Sequence, residues 1–471
     1  MIQKRTGEAA AHPTRTVAIL AMGTLTYSLQ QTMILPALPA FQQRYGVSAT
    51  TSAWLLTSFL LSSAISTPML GRLGDMYGKA RMLLVALTAF AAGMLLSAVA
   101  GSFAVVLAGR TVQGIGAAIL PLGIGIVRDE LPPHRVAVGI GALSSMLGIG
   151  GGVALVLAGV LVEHVGLSWL FWSALIVTAP AAVLTWAFVP ESPVRSPARV
   201  DVAGAALLSI ALLAFLLGIS EGNGWGWSST REILLFTAAL VLFCAWMAWE
   251  RRARAPLVDI RLMAERGVWT TNLVAAAIGA AMFGSFVLIP QLAQAPETTG
   301  YGFGDSVTAA GLVLLPGAIV MLFAGPAAGR VERRVGAKLP LCVGCIALAV
   351  TYFWFAALHA EVWELYVGST LLGVGLGLGL SSMATLVVLA VPQRQTGIAA
   401  AVNMILRSIG GAIGAQLAAA ILTGSAASGQ LPTDGGYSAA FLVCAGAGLV
   451  AWLAAMVVPG TSRAVARATV A

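Results

Sequence analysis

Fourteen separate apolar stretches, each long enough to cross a bilayer, fill nearly the whole chain, and only two charged side chains, Arg110 and Arg407, lie deep inside any of them. A spanning helix needs about 20 apolar residues at about 1.5 Å rise each. The stretches run approximately over 16–38, 51–70, 82–100, 103–127, 136–162, 168–189, 202–220, 232–249, 268–290, 307–328, 339–357, 363–391, 397–422 and 437–458. Lipid offers the backbone no hydrogen bonds, so each stretch must satisfy its own as a helix, and the chain is expected to be an all-α membrane protein. A charge at the bilayer centre costs roughly 2.5 to 3.5 kcal/mol on insertion scales, which makes the two retained guanidiniums functional candidates. With 59% hydrophobic and 9% charged residues, a soluble three-domain reading of the 471 residues is excluded.

The formal charge of +8 does not indicate nucleic acid, because the basic residues sort by membrane side. With an even number of helices and a cytoplasmic N-terminus, 22 of the 26 Lys and Arg fall in cytoplasmic tails and loops, and only Arg44 and Arg231 fall outside. That asymmetry is the positive-inside rule, so both termini are expected to be cytoplasmic in a multi-pass protein of the inner membrane. The first stretch follows a basic tail but runs into Pro36 and Pro39 with no small-residue cleavage site, so it reads as a retained helix. Cys244, Cys342, Cys345 and Cys444 fall within predicted helices and read as small packing residues rather than disulfide partners. His12, His134, His164 and His359 are scattered over tail and connections, which removes metal-hydrolase readings; no metal or cofactor is expected. Gly78-Lys79 lacks the glycine five positions earlier that a phosphate loop needs, so ATP is not a partner. The run Gly373-Val-Gly375-Leu-Gly377-Leu-Gly379 has no preceding strand and reads as a close-packing helix face.

The chain also repeats itself. Gly71-Arg72-Leu73 and Gly78 align with Gly329-Arg330-Val331 and Gly336 at an offset of 258, which also carries Gly139-Ile140 onto Gly397-Ile398. One residue more brings Gly114-Ile115-Gly116 onto Gly373-Val374-Gly375. The reading is two six-helix bundles in parallel pseudo-repeat, residues 1–190 and 268–471, with a linker and two inserted helices over 191–267. Pro190-Glu-Ser-Pro-Val-Arg-Ser-Pro197 is the polar connection, and the basic segment 250–266 is expected at an anionic lipid surface.

Three motifs carry a resemblance, and a fourth departs from it. Gly71-Arg-Leu-Gly-Asp75-Met-Tyr-Gly78-Lys79-Ala-Arg81 resembles the major facilitator signature G-x-L-x-D-[RK]-x-G-[RK]-[RK]; in the second half Arg333 stands where the Asp would be. Leu107-Ala-Gly-Arg110-Thr-Val-Gln113-Gly114-Ile-Gly116-Ala-Ala resembles that family's L-x-x-x-R-x-x-Q-G-x-G-A-A, with Ser369 as the repeat counterpart of the arginine. Leu29-Gln30-Gln31-Thr32-Met33-Ile34-Leu35-Pro36-Ala37-Leu38-Pro39 is similar to the first-helix pattern of the fourteen-helix drug:proton antiporter branch, with Gln30 in place of its Asp and Leu35 in place of its Asn. The fifth stretch departs from the antiporter motif G-x-x-x-G-P-x-x-G-G, reading Gly150-Gly-Gly-Val-Ala154-Leu155-Val-Leu-Ala158-Gly159 without the Gly-Pro pair.

The resemblance implies the major facilitator fold and a secondary transporter, not an enzyme, that exports a small amphiphilic compound against protons. It implies a conformational latch at Gly71, Asp75, Gly78, Lys79 and Arg81, and a role for Arg110 in proton coupling or a core polar network. Residue chemistry proposes Gln30, Gln31, Arg110, Gln113, Asn403 and Arg407 for substrate and coupling. All 18 acidic residues fall in a tail, a loop or within about one turn of a helix end, so a neutral or anionic substrate is expected. Facilitated uptake of a metabolite and a non-transporting membrane sensor or scaffold are the alternatives.

Overall fold

The computed structural model describes residues 13–47, 49–192, 201–253, 260–425 and 431–459. The tail with Lys4, Arg5 and His12, the linker residues 193–200, residues 254–259 of the basic segment, and Arg463 and Arg467 lie outside the described residues. The described residues form helices and turns, with no strand among them.

Fourteen long helices follow in order: α1 (Pro13–Tyr45), α2 (Ala49–Tyr77), α3 (Lys79–Ala98), α4 (Phe103–Glu130), α5 (Pro133–His164), α6 (Trp169–Phe188) and α7 (Val202–Trp225). Then come α8 (Thr230–Glu250), α9 (Arg266–Gln294), α10 (Val307–Val335), α11 (Lys338–Ala357), α12 (Val362–Leu389), α13 (Thr396–Ser425) and α14 (Asp434–Val457). Twelve helices among the described residues are long and apolar enough to cross a membrane; α1 and α7, with 33 and 24 residues, complete the fourteen. Each lies on one of the apolar stretches, because hydrocarbon forces every span to close its own hydrogen bonds.

The chain divides into two compact units. Unit one is residues 1–132, 161–268 and 388–405; unit two is residues 133–160, 269–387 and 406–471. Unit one therefore holds α1–α4, α6–α8 and the first turns of α13, whereas α5 packs among the helices of unit two.

Between lipid-immersed helices no hydrophobic force acts, so association depends on close van der Waals packing of small residues. In unit one, α3 and α4 meet backbone to backbone: a Cβ on Gly93 would lie 2.6 Å from Gly109 O, and one on Gly109 2.7 Å from Gly93 O. Within α4 the residues Gly114–Ala118 tighten to a 3-10 segment, where Gly114 faces the Phe59 carbonyl of α2. The inserted pair α7–α8 is fixed at both ends. Asp201 caps α7 by accepting from Gly204 N–H at 2.8 Å and holds the Trp249 indole N–H of α8 at 2.9 Å, while the Trp227 ring stacks 6.5 Å from Phe236.

Unit two has three small-residue seams. α5 lies along α10 through Gly141 against Gly325, Gly152 against Ala318 and Gly159 against Thr308. The glycine run of α12 lies against α10 and α11, Gly373 on Gly317, Gly377 on Ala324 and Gly375 on Leu348. In the α9–α13 seam a Cβ on Gly410 would lie 1.9 Å from Ala276 O, and one on Gly414 2.2 Å from Ala280 O. Apolar packing completes the unit: the Phe355 and Phe441 rings stack at 5.2 Å between α11 and α14, and the Tyr352 hydroxyl donates to Ala281 O at 2.6 Å. All four cysteines are free thiols.

Candidate functional site

The interior of unit one holds a permanent charge. Arg110 projects from α4 and is completely buried, with its guanidinium 4.3 Å from the centre of the Phe59 ring. Its Nε donates to Leu55 O at 3.1 Å, and one terminal nitrogen donates to Gln30 O at 3.4 Å and Gln113 Oε1 at 2.7 Å. Gln113 in turn donates through Nε2 to Gly93 O at 3.1 Å and Ser97 Oγ at 3.0 Å. The Gln30 amide donates to Leu170 O of α6. This network ties α1, α2, α3, α4 and α6 together around a cation that carbonyls and amides, not a carboxylate, compensate. A cation over an aromatic face in a desolvated site gains about 2 kcal/mol or more. Gln30 Oε1 and the second terminal nitrogen of Arg110 have no hydrogen-bond partner among the described residues.

Of the residues singled out from the sequence, Gln30, Arg110 and Gln113 are thus brought into one cluster, and Gln31 beside them is half-buried. Asn403 and Arg407 sit one turn apart on α13, 5% and 6% exposed, the first in unit one and the second in unit two. The Arg407 carbonyl lies on the α9 seam, where a Cβ on Gly279 would meet it at 2.0 Å. Ser369, the repeat counterpart of Arg110, is fully buried on α12.

A second constellation lies at the α2–α3 turn of unit one. Asp75 caps the start of α13: Oδ1 accepts from Gly397 N–H and Oδ2 from Ile398 N–H, each at 3.2 Å. A carboxylate there meets the positive end of the helix dipole as well as two orphan donors. Approach is close because Gly71 and Gly397 face each other; a Cβ on Gly397 would lie 2.8 Å from Gly71 O. Lys79, fully buried, lies 3.5 Å from Asp75 and 2.6 Å from Asp129. Gly78 adopts φ +120°, a left-handed conformation, and a Cβ on it would strike the Glu191 carboxyl at 2.4 Å. Glu191 accepts from the N–H groups of Ala80 and Arg81 at 3.1 and 3.2 Å, with the Arg81 guanidinium 3.5 Å away.

Sequence reasoning missed most of the partners of this turn. Arg128 donates to Thr396 Oγ1 at 2.6 Å and Val391 O at 3.0 Å; Asp129 accepts from Gln393 at 3.2 Å and from the Ser192 hydroxyl. The available signal was the charged run Arg128-Asp129-Glu130 closing α4 and Glu191 just past α6, both at helix ends. Nothing in the sequence states that they converge on the α2–α3 turn. In unit two the equivalent position is Arg333, which reaches a backbone carbonyl, His134 O at 3.5 Å, instead of helix N–H groups. Only the first copy can form an anion-to-helix clasp.

The arrangement contains a compensated buried cation and a charged clasp on a helix start. Among the described residues no group of three or more metal-ligating side chains occurs. The family model for the Major Facilitator Superfamily matches residues 20–415. The Tetracenomycin C resistance and export protein of Streptomyces glaucescens is 27% identical over 85% of this chain and 74% of that protein. The Multidrug export protein EmrB of Escherichia coli is 25% identical over 90% of this chain and 82% of its own length. Among solved structures, the human organic anion transporter MFSD10 (TETRAN) superposes with a TM-score of 0.67 at 18% identity, covering 94% of this chain and 99% of that one. The proton:xylose symporter XylE gives a TM-score of 0.68 at 14% identity, covering 96% and 97%. With fourteen long helices, the glycine-aspartate turn, the buried arginine of α4 and a family match over most of its length, the chain belongs to the Major Facilitator Superfamily of membrane transporters.

Proposed function

We propose that this protein is a secondary transporter of the inner membrane that exports a small amphiphilic organic compound, neutral or anionic, by proton antiport, with both termini cytoplasmic. Similarity over most of the chain to proteins named for antibiotic and multidrug export supports the direction and the kind of substrate. The observation that carries the substrate charge is the network around Arg110, where Gln30 occupies the position at which the antiporter branch usually has an aspartate. Arg110 and Arg407 give the interior a positive potential, and a monovalent organic cation would meet like charge where repulsion is poorly screened. Gln30, Gln31, Arg110, Gln113, Asn403 and Arg407 serve substrate and coupling in this reading. Gly71, Asp75, Gly78, Lys79 and Arg81, now joined by Asp129 and Glu191, set the conformational equilibrium. Membrane lipid, protons and the substrate are the partners.

The test compares ethidium with a carboxylate-bearing quinolone in one host at matched expression. The quinolone is expected to be extruded and ethidium to be a poor substrate, while Gln30→Asp shifts preference toward ethidium. Strong ethidium efflux by the unmodified protein overturns the charge argument. Orientation has its own check. A reporter active only outside is expected to be silent after Ala471 and active within 221–230, and a periplasmic signal at the C-terminus refutes the topology.

One departure favours facilitated uptake as a second reading. α5 passes through Ala154-Leu155 as unbroken helix where the antiporter motif carries Gly-Pro. Accumulation of the quinolone in inverted vesicles energised with a proton gradient selects export; equilibration without the gradient selects uptake.

A further inference from the structure

Among the described residues several carboxylates are buried, and they differ in what surrounds their charge. Asp75 receives two helix N–H groups and Lys79, and Glu364 accepts from Glu361 N–H at 2.9 Å. Glu250 holds the Trp246 indole at 3.1 Å. Glu332, in the last turn of α10, is 7% exposed and accepts from the Ser382 hydroxyl of α12 at 2.7 Å on Oε1. Its Oε2 completes no close hydrogen bond among the described residues, and the Thr385 hydroxyl, one turn along α12 from Ser382, is the second hydroxyl that faces the carboxyl.

Charged groups are plentiful at this end of unit two, yet none neutralises Glu332. On its own helix Arg330, Arg333 and Arg334 are exposed, with Arg333 reaching His134 O. At the start of α5 His134 and Arg135 are exposed as well, and Lys338 of α11 donates to Met456 O at 2.7 Å. α12 carries no charged residue except Glu364, which lies in its first turn at the opposite end. No Lys, Arg or His nitrogen among the described residues lies within 4.0 Å of the Glu332 carboxyl. The carboxyl also sits at the negative end of its own helix dipole, where an anion is disfavoured. Burying an uncompensated carboxylate is costly enough that such a group takes a proton instead.

From this geometry we infer that Glu332, seated on Ser382 and Thr385, is a proton-binding site of unit two. As the neutral acid its Oε1 still accepts from Ser382, and its Oε2–H gains a donor function toward the Thr385 hydroxyl. Loss of the proton leaves an anion that the α10–α12 seam cannot hold, so deprotonation favours exposure of this helix end to water. The binding site stands on the geometry alone; its use as the coupling proton rests on the antiport reading above.

Two measurements separate these claims. In purified protein at neutral pH, infrared difference spectra between wild type and Glu332→Gln are expected to show the carbonyl stretch of one neutral carboxylic acid, shifted in Ser382→Ala. Absence of that band from the wild type overturns the site. In inverted vesicles, gradient-driven accumulation of the carboxylate-bearing quinolone is expected in wild type, lost in Glu332→Gln and partly restored by Glu332→Asp, with melting temperatures confirming that each variant is folded. If wild type accumulates the quinolone without regard to the gradient, antiport falls and the infrared result alone judges the site. If wild type and Glu332→Gln respond equally to the gradient, the coupling role of Glu332 is refuted.

Discussion

Gly410→Leu is expected to abolish transport and to lower the yield of folded protein severely. The α9 and α13 backbones touch at this residue, and even the first added atom would lie 1.9 Å from Ala276 O. Real Cβ atoms do not approach a carbonyl oxygen so closely, and the obstacle is backbone rather than the far end of a flexible side chain. The helices must separate along a seam that also carries Gly279 on the Arg407 carbonyl and Gly414 on Ala280. Overpacking a well-packed core costs about 1 to 3 kcal/mol or more, and here much of the seam's close contact is forfeited as well. Gly424→Leu, in the last turn of the same helix with nothing within 4 Å of its added Cβ, serves as the control. Thermal unfolding in detergent and quinolone efflux check both variants. A Gly410→Leu protein that melts and transports like wild type would refute the packing assigned to α13.

Asp75→Asn is expected to reduce turnover about tenfold or more while leaving apparent substrate affinity within about threefold. The asparagine can still accept from one of the two α13 N–H groups, but its own amide then confronts the other as donor against donor. Lys79 keeps Asp129 at 2.6 Å and loses the second anion at 3.5 Å. Hydrogen bonds to a charged acceptor contribute about 1.5 to 3 kcal/mol, enough to shift a two-state equilibrium by more than tenfold. The residue lies in the clasp at the α2–α3 turn, apart from the Arg110 cluster, so the loss belongs to the conformational step. Initial-rate measurements over a range of quinolone concentrations separate the two parameters. Weakened affinity with intact turnover would instead place Asp75 in the binding machinery.

What the sequence by itself determined is the part of the problem that lipid solves locally. Each span must close its own hydrogen bonds and bury no charge without cause, so fourteen helices and the two exceptional arginines can be read from residue order alone, whereas helix ends that run past the apolar stretch, such as α1 to Tyr45 and α2 to Tyr77, cannot. The small-residue faces were legible for the same reason: Gly373, Gly375 and Gly377 mark close packing wherever their partners lie. The partners themselves required the tertiary structure. Asp75 meets the N–H of Gly397, 322 residues away, and Lys79 meets Asp129 across 50 residues, with no local pattern joining either pair. Arg110 is held by the carbonyls of Leu55 and Gln30, and a backbone carbonyl has no signature in sequence. The offset of 258 revealed a repeat, yet the packing of α5 within unit two and of the first turns of α13 within unit one is a choice among similar glycine faces. Glu332 shows the limit most clearly: at a helix end beside three arginines it reads as a solvated charge. Only the fold shows that those arginines are exposed while hydroxyls of α12 receive the carboxyl, because burial and compensation are properties of neighbours that folding brings together.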